Sequence, residues 1–202
     1  MNNKVMTTVV ELERVSSKVT PKRFCVEDFR KMMEAGILPE ESGWEIIDGF
    51  LIDKMTIGSK HASIVKRLNK LLAELLTNKA IVSVQDPVHI DDYNEPEPDI
   101  TLLKPRNDFY SGRHPTPSDV LLLVEVSDST ISYDRGIKMK LYAEAGIVEV
   151  WLVNLLDETI ERYSLPANGR FGSVETLKKG DSIRSISLAY LSLNVEEILG
   201  SK

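Results

Sequence analysis

The sequence predicts one α/β domain of mixed (α+β) character, with a central mixed β-sheet flanked by helices and antiparallel hairpins added to it. Three stretches lead there. The nearly continuous apolar run VLLLVEV (120–126) precedes a helical stretch and a second apolar run, IVEVWLVNL (147–155). That order is a βαβ unit, whose strands lie parallel and are joined by a right-handed crossover. WEIIDGFLIDKM (44–55) sets two short strand-like runs around Asp48-Gly49, a strong short-range hairpin signal. HASIVKRLNKLLAELLTNK (61–79) carries Ile64, Leu68, Leu71, Leu72 and Leu75 at helical spacing, with Lys66, Arg67 and Lys70 elsewhere on the circle.

The remaining elements follow in order. Residues 1–20 are polar and aperiodic and are expected to form a loose arm ahead of a single domain over 21–202. VEDFRKMMEAG (26–36) reads as a short helix with Phe29, Met32 and Met33 on one face and Gly36 as its stop. IVSVQDPVHI (81–90) alternates as a strand should, and DITLLK (99–104) is an apolar strand. The continuity of 120–126 predicts burial on both faces. YDRGIKMKLYAEAG (133–146) is helical, with Ile137, Leu141 and Ala145 four residues apart and Gly146 just past the end. DETIERYSL (157–165) and SVETLKKGDSIRS (173–185) read as antiparallel additions, and NVEEIL (194–199) as a brief helix. The sequence contains no internal repeat, low-complexity tract or linker.

Composition excludes several classes. At 202 residues, with 42% hydrophobic and 28% charged content, the chain has enough material for one sizeable core. No apolar run is long enough to span a membrane, and the charged N-terminus does not resemble a signal peptide, so a cytoplasmic protein with no membrane partner is expected. The single cysteine, Cys25, excludes an intramolecular disulfide and a cysteine-based zinc site. A net charge of −6 argues against phosphate-driven binding over a broad face, but not against a local basic groove. P-loop, dinucleotide-binding, G-x-S-x-G and H-E-x-x-H motifs are absent.

The chemistry centres on carboxylates. Alternation sends Leu121, Leu123, Glu125 and Ser127 to one face of their strand, and Leu122, Val124 and Val126 to the other. Glu125 thus shares a face with core leucines, where an unpaired charge costs several kcal/mol, so it must be paired, protonated or bound to a cation. It also stands at the strand end where open α/β sheets place ligands. Asp99 opens the preceding strand behind Pro98. If the two strands are antiparallel neighbours, both carboxylates converge, as a hard divalent ion such as Mg²⁺ requires. The alternative has Asp99 capping a turn and Glu125 paired with an arginine. Lys138 lies on the margin of its helix's apolar stripe, where it either buries its stem and brings its ammonium to the strand end or stays solvated. Lys140, four residues before Glu144, points to water. Glu45 in the hairpin is a further candidate, with His61 at a helix start and Gln85 as accessory possibilities.

The order of WEIIDG, a helix opening with His61, PD before a strand, LLLVEVSDST and YDRGIKMKLYAEAGIVEVWLVNL resembles the Uma-type putative restriction endonucleases of the PD-(D/E)XK nuclease superfamily. The likeness runs from about Trp44 to Leu155. It implies a restriction-endonuclease-like core of helix, three-strand meander, helix and strand. It further implies that Asp99, Glu125 and the Val126 carbonyl ligate Mg²⁺, with Mn²⁺ an alternative. The superfamily lysine, two residues after the second acid, is here Ser127, and the resemblance moves that role onto the helix at Lys138. Glu45 matches the acid of the family's hairpin and would hold a water or a second metal. The implied activity is metal-assisted hydrolysis of DNA phosphodiesters, with a homodimer expected by analogy. Two rival readings are a nuclease-fold protein that has lost catalysis and serves as a binding or regulatory module, and a small-molecule phosphohydrolase using the same metal site.

Overall fold

Asp48 (φ 52°) and Gly49 (φ 74°) both take left-handed backbone, as a type I′ turn requires. They close a hairpin between β1 (Gly43–Ile47) and β2 (Phe50–Lys54), with Ile47 opposite Phe50, as the Asp-Gly signal predicts. A Cβ at Gly49 would stand 2.7 Å from the Arg23 Cβ, so space as well as dihedral demands glycine. The hairpin forms its own sheet and is tied to the chain that follows. Glu95 N–H donates to the Ile46 carbonyl at 2.9 Å, Gly49 N–H to the Tyr93 carbonyl at 2.9 Å, and Asp48 N–H to Asn94 Oδ1 at 2.7 Å. Helix α1 (Val26–Glu34) covers the hairpin, with Val26 and Phe29 clustered on Ile46.

The protein is seen here as a computed structural model that describes residues 21–39, 43–54 and 58–200; the expected N-terminal arm lies outside the described residues. Its central sheet runs β3-β4-β5-β6-β7-β8, from β3 (Ile81–Val84), β4 (Ile100–Leu103), β5 (Val120–Ser127), β6 (Glu149–Asn154), β7 (Thr159–Ala167) and β8 (Arg170–Lys178). Every neighbouring pair is antiparallel except β5–β6, the parallel pair of the βαβ unit. Helix α2 (Ser59–Leu75) packs Ile64, Val65, Leu68 and Leu72 on Leu122, Val124 and Val126. The small sheet of β9 (Ser182–Arg184) and β10 (Ser192–Asn194), with α3 (Val195–Leu199) behind it, joins that same face through Ile183, Leu193 and Ile198. Two short helical segments, Ile131–Tyr133 and Met139–Glu144, flank a π turn at Asp134–Lys138 and cover the opposite face through Met139 and Tyr142. Among the described residues no helix is long and apolar enough to cross a membrane.

Four expectations are corrected. Strand β3 stops at Val84 instead of reaching residue 90, because Gln85 turns left-handed (φ 53°) and Pro87 has no N–H for a ladder. Leu121 leaves the Leu123–Glu125 face for the α2 side, because a bulge pairs Leu102 with Leu122 but Leu103 with Val120 and inserts one residue into β5. On α2 the buried stripe continues through Leu76, while Leu75 is exposed. Beyond β5, Ile137 is exposed, and Asp134, Lys138, Met139, Tyr142 and Ala143 are buried instead. The π turn, closed from Met139 N–H to the Asp134 carbonyl, shifts the inward face away from the phase that a 3.6-residue period predicts.

A second buried carboxylate fixes the C-terminal segment. Glu149 is fully buried at the start of β6 and accepts from Trp151 Nε1, Ser185 Oγ, Ser187 Oγ and the Ile186 and Ser187 N–H groups, all within 2.9 Å. Glu149→Ala strands several buried donors, at about 1–3 kcal/mol each in the worst case. We expect it to cost about 3 kcal/mol and lower Tm by roughly 6–12 °C in thermal unfolding followed by circular dichroism.

Candidate active site

Antiparallel pairing of Ile100 with Val124 carries Asp99, one step further, opposite Glu125. The two expected carboxylates therefore meet at one end of the sheet. Three other elements converge there: β1 supplies Glu45, the π turn Lys138, and the first turn of α2 His61. The Lys138 ammonium lies 3.1 Å from Glu125 Oε1 and 3.1 Å from Glu45 Oε2. Glu45, Asp99, Glu125 and Lys138 are each at most 4% exposed. Lys140 instead pairs with Glu144 in solvent at 3.7 Å, as expected.

Each carboxylate is held by further donors. Asp99 Oδ2 accepts the Val126 N–H at 2.8 Å and lies 3.1 Å from His61 Nε2, while Gln85 Nε2 reaches Asp99 Oδ1 at 3.5 Å. Gln85 does so from the edge strand, through the turn that ends β3. Glu45 Oε2 also accepts the Glu97 N–H at 3.2 Å. Lys54 secures that segment, its ammonium 2.6 Å from the Glu97 carbonyl. Leu155 N–H donates to the Ser127 carbonyl, so the backbone groups of Ser127 face β6 and those of Val126, by alternation, face β4 and Asp99. The Val126 carbonyl thus lies along the same edge as the carboxylates.

Ser127 does not reach Asp99. Its hydroxyl stands 3.2 Å from Thr130 Oγ1, which donates to Asp134 Oδ2 at 2.9 Å. Asp134 and Tyr142 are site residues that the sequence reading missed; the Tyr142 hydroxyl donates to Glu125 Oε1 at 2.5 Å. Their signal was the spacing of Asp134, Lys138 and Tyr142 at intervals of four, a polar row where an apolar stripe was expected.

The electrostatics reflect crowded carboxylates. Burial pushes Glu125 up to about 7; Lys138 pulls against this, while the charges of Asp99, Asp134 and Glu45 add to it. Burial likewise raises Asp134, against the pull of Lys138. For Lys138 burial favours the neutral amine, but Glu125 and Glu45 outweigh it and hold the ammonium well above its ordinary range. Burial opposes ionisation of Asp99, yet the His61 hydrogen bond and the charges of His61 and Lys54 bring it below the usual carboxylate value. His61 is raised correspondingly, Asp99 overcoming the burial penalty. Glu45 and Glu125 thus share one buried ammonium whose field also reaches Asp134, while His61 and Lys54 offset Asp99. Among the described residues no three His, Cys, Asp or Glu side chains form a metal-ligating group by themselves. The two carboxylates that strand pairing brings together are those of Asp99 and Glu125.

A crystal structure titled as a putative nuclease belonging to DUF820, from Anabaena variabilis ATCC 29413, superposes with a TM-score of 0.67 over 89% of this chain and 98% of that one. At 18% sequence identity the likeness concerns the fold. No curated protein matches the sequence. Residues 26–196, from α1 through the carboxylate site to α3, match the family described as Uma2, putative restriction endonuclease, and the chain belongs to that family.

Proposed function

We propose that the protein is a Mg²⁺-dependent endonuclease that hydrolyses DNA phosphodiester bonds, Mn²⁺ serving as an alternative ion. The observation that carries this reading is the meeting of Asp99, Glu125 and the buried ammonium of Lys138 at one end of the sheet. Family membership supports a nuclease. The donor set fits the ion: Mg²⁺ takes one or two carboxylates and fills its other positions with water and phosphate oxygens. Glu125, pushed up to about 7 by burial and by the charges of Asp99, Asp134 and Glu45, is the incompletely compensated carboxylate that a divalent cation would relieve. Asp99, Glu125 and the Val126 carbonyl would hold it. Cutting both strands of a duplex calls for two such sites, so a homodimer is part of the proposal.

The bound ion supplies Lewis acidity toward the phosphate and lowers the pKa of a coordinated water. The protein's own groups do the rest. Lys138, fixed between two carboxylates, keeps a full positive charge beside the reacting phosphate and offsets the negative charge that builds there. Glu45 holds that ammonium in place, and the Tyr142 hydroxyl fixes the rotamer of Glu125. The Val126 N–H and His61 keep Asp99 ionised and aimed at the shared edge.

Nicking of supercoiled plasmid in Mg²⁺ or Mn²⁺ is expected for the parent protein. Glu125→Gln and Lys138→Gln are each expected to reduce the rate by about 10²–10³-fold. Undiminished cleavage by both variants would overturn the site, and a parent that neither cuts nor binds metal would support the binding module.

Metal binding should also depend on pH. Since Glu125 titrates near 7, an incoming cation must displace its proton below that pH. Apparent affinity for Mn²⁺ is therefore expected to rise about tenfold per unit from pH 5 to 7 and to level off above. Calorimetry in buffers of different ionisation enthalpy should show about one proton released per ion at pH 6 and almost none at pH 8.5. A flat profile would remove Glu125 from the ligand set.

A further inference from the structure

The Tyr133 hydroxyl is sealed from solvent and, among the described residues, has no hydrogen-bond partner. Buried hydroxyls seldom go unpartnered, and each one that does calls for an explanation. Its place is fixed: the Tyr133 and Asp134 N–H groups both donate to the Thr130 carbonyl, at 2.8 and 3.1 Å, which pins the residue at the entrance to the π turn. The charges acting on the hydroxyl are those of Glu45, Lys138, Asp134 and Glu125, the groups of the site itself. Two oxygens of that cluster already receive other donors: Glu45 Oε2 those of Lys138 and the Glu97 N–H, and Asp134 Oδ2 that of Thr130. Burial, reinforced by Glu45, holds the phenol far above its ordinary pKa, so it remains a donor at any working pH.

We propose that Tyr133 is a further substrate-contacting residue, whose hydroxyl donates a hydrogen bond to a non-bridging oxygen of the bound phosphodiester. This rests on the nuclease reading above and adds a group that the reading does not use. A phosphodiester is the complementary ligand, because its non-bridging oxygens only accept and carry charge. The charge of Lys138 acts on this hydroxyl, so a phosphate drawn to the ammonium also comes within the reach of the donor. No described protein group pairs with the hydroxyl, as expected of a group kept for binding at the expense of stability.

Tyr133→Phe removes one oxygen and keeps the ring. Four readouts on the full chain test the proposal: thermal unfolding, calorimetric Ca²⁺ affinity, affinity for a short DNA duplex in Ca²⁺, and plasmid nicking in Mg²⁺. The expected variant has a Tm equal to or above that of the parent, unchanged Ca²⁺ affinity, and duplex affinity weaker by about tenfold or more, the loss of one hydrogen bond to a charged acceptor. A Tm lower by more than about 3 °C would show that the hydroxyl serves the fold, and unchanged duplex affinity would show that it meets no phosphate; either overturns the proposal. A parent that binds duplex in a tyrosine-dependent way yet never nicks plasmid defeats the hydrolytic reading and leaves this contact standing. A parent that binds no duplex defeats both.

Discussion

The ammonium of Lys138, desolvated between Glu125 and Glu45, is the interaction on which the site depends. Burying a carboxylate alone costs several kcal/mol, and this one ammonium offsets part of that cost for both acids. The lysine also joins two separate sheets. Glu125 belongs to the six-stranded sheet and Glu45 to the two-stranded hairpin, and no strand pairing connects them. Type I′ turn geometry, the Asn94 clamp and the Glu95–Ile46 bridge orient the hairpin so that Glu45 faces inward. The fold around the hairpin is largely a means of bringing that second carboxylate to the lysine.

The π turn performs the matching task on the other side. A regular helix with Ile137, Leu141 and Ala145 facing the sheet would leave Lys138 at the margin. The i→i+5 closure at Asp134–Met139 turns Asp134, Lys138 and Tyr142 inward as a polar row. That row is stable because it is mutually satisfied: Thr130 holds Asp134, Glu125 receives Tyr142, and Lys138 bridges two acids. An apolar stripe in its place would pack equally well and leave Glu125 uncompensated.

Much of this is legible in the sequence, for identifiable reasons. Asp48-Gly49 specifies its turn because only left-handed backbone closes a two-residue hairpin with the right twist. The parallel pairing of β5 and β6 follows from two apolar runs separated by a helix. Glu125 stands out because a charge in a doubly buried strand needs a compensating group, and antiparallel pairing names Asp99 as its neighbour. What escapes is whatever depends on a departure from ideal periodicity. The bulge that moves Leu121, the left-handed Gln85 that ends β3 and the π turn each insert or rotate one residue, and propensity carries no strong signal for any of them. Asp134 and Tyr142 were missed for that reason, and Ser127, expected as an accessory residue, meets Thr130 and the carboxylate of Asp134.

The lysine and the carboxylate it accompanies sit on different elements, Glu125 on a strand at the centre of the sheet and Lys138 on a helical turn laid over it. In the superfamily pattern that this chain resembles, both sit two residues apart on one rigid strand and move as a unit. Here they are joined through their ion pair instead of through one strand. On the proposed reading, natural variation in the turn would retune the approach of the ammonium while the edge carrying Asp99 and Glu125 stays intact, so rate and metal affinity would be separately adjustable traits. A survey of relatives that inspects only the strand position would find a serine there and overlook the lysine on the turn.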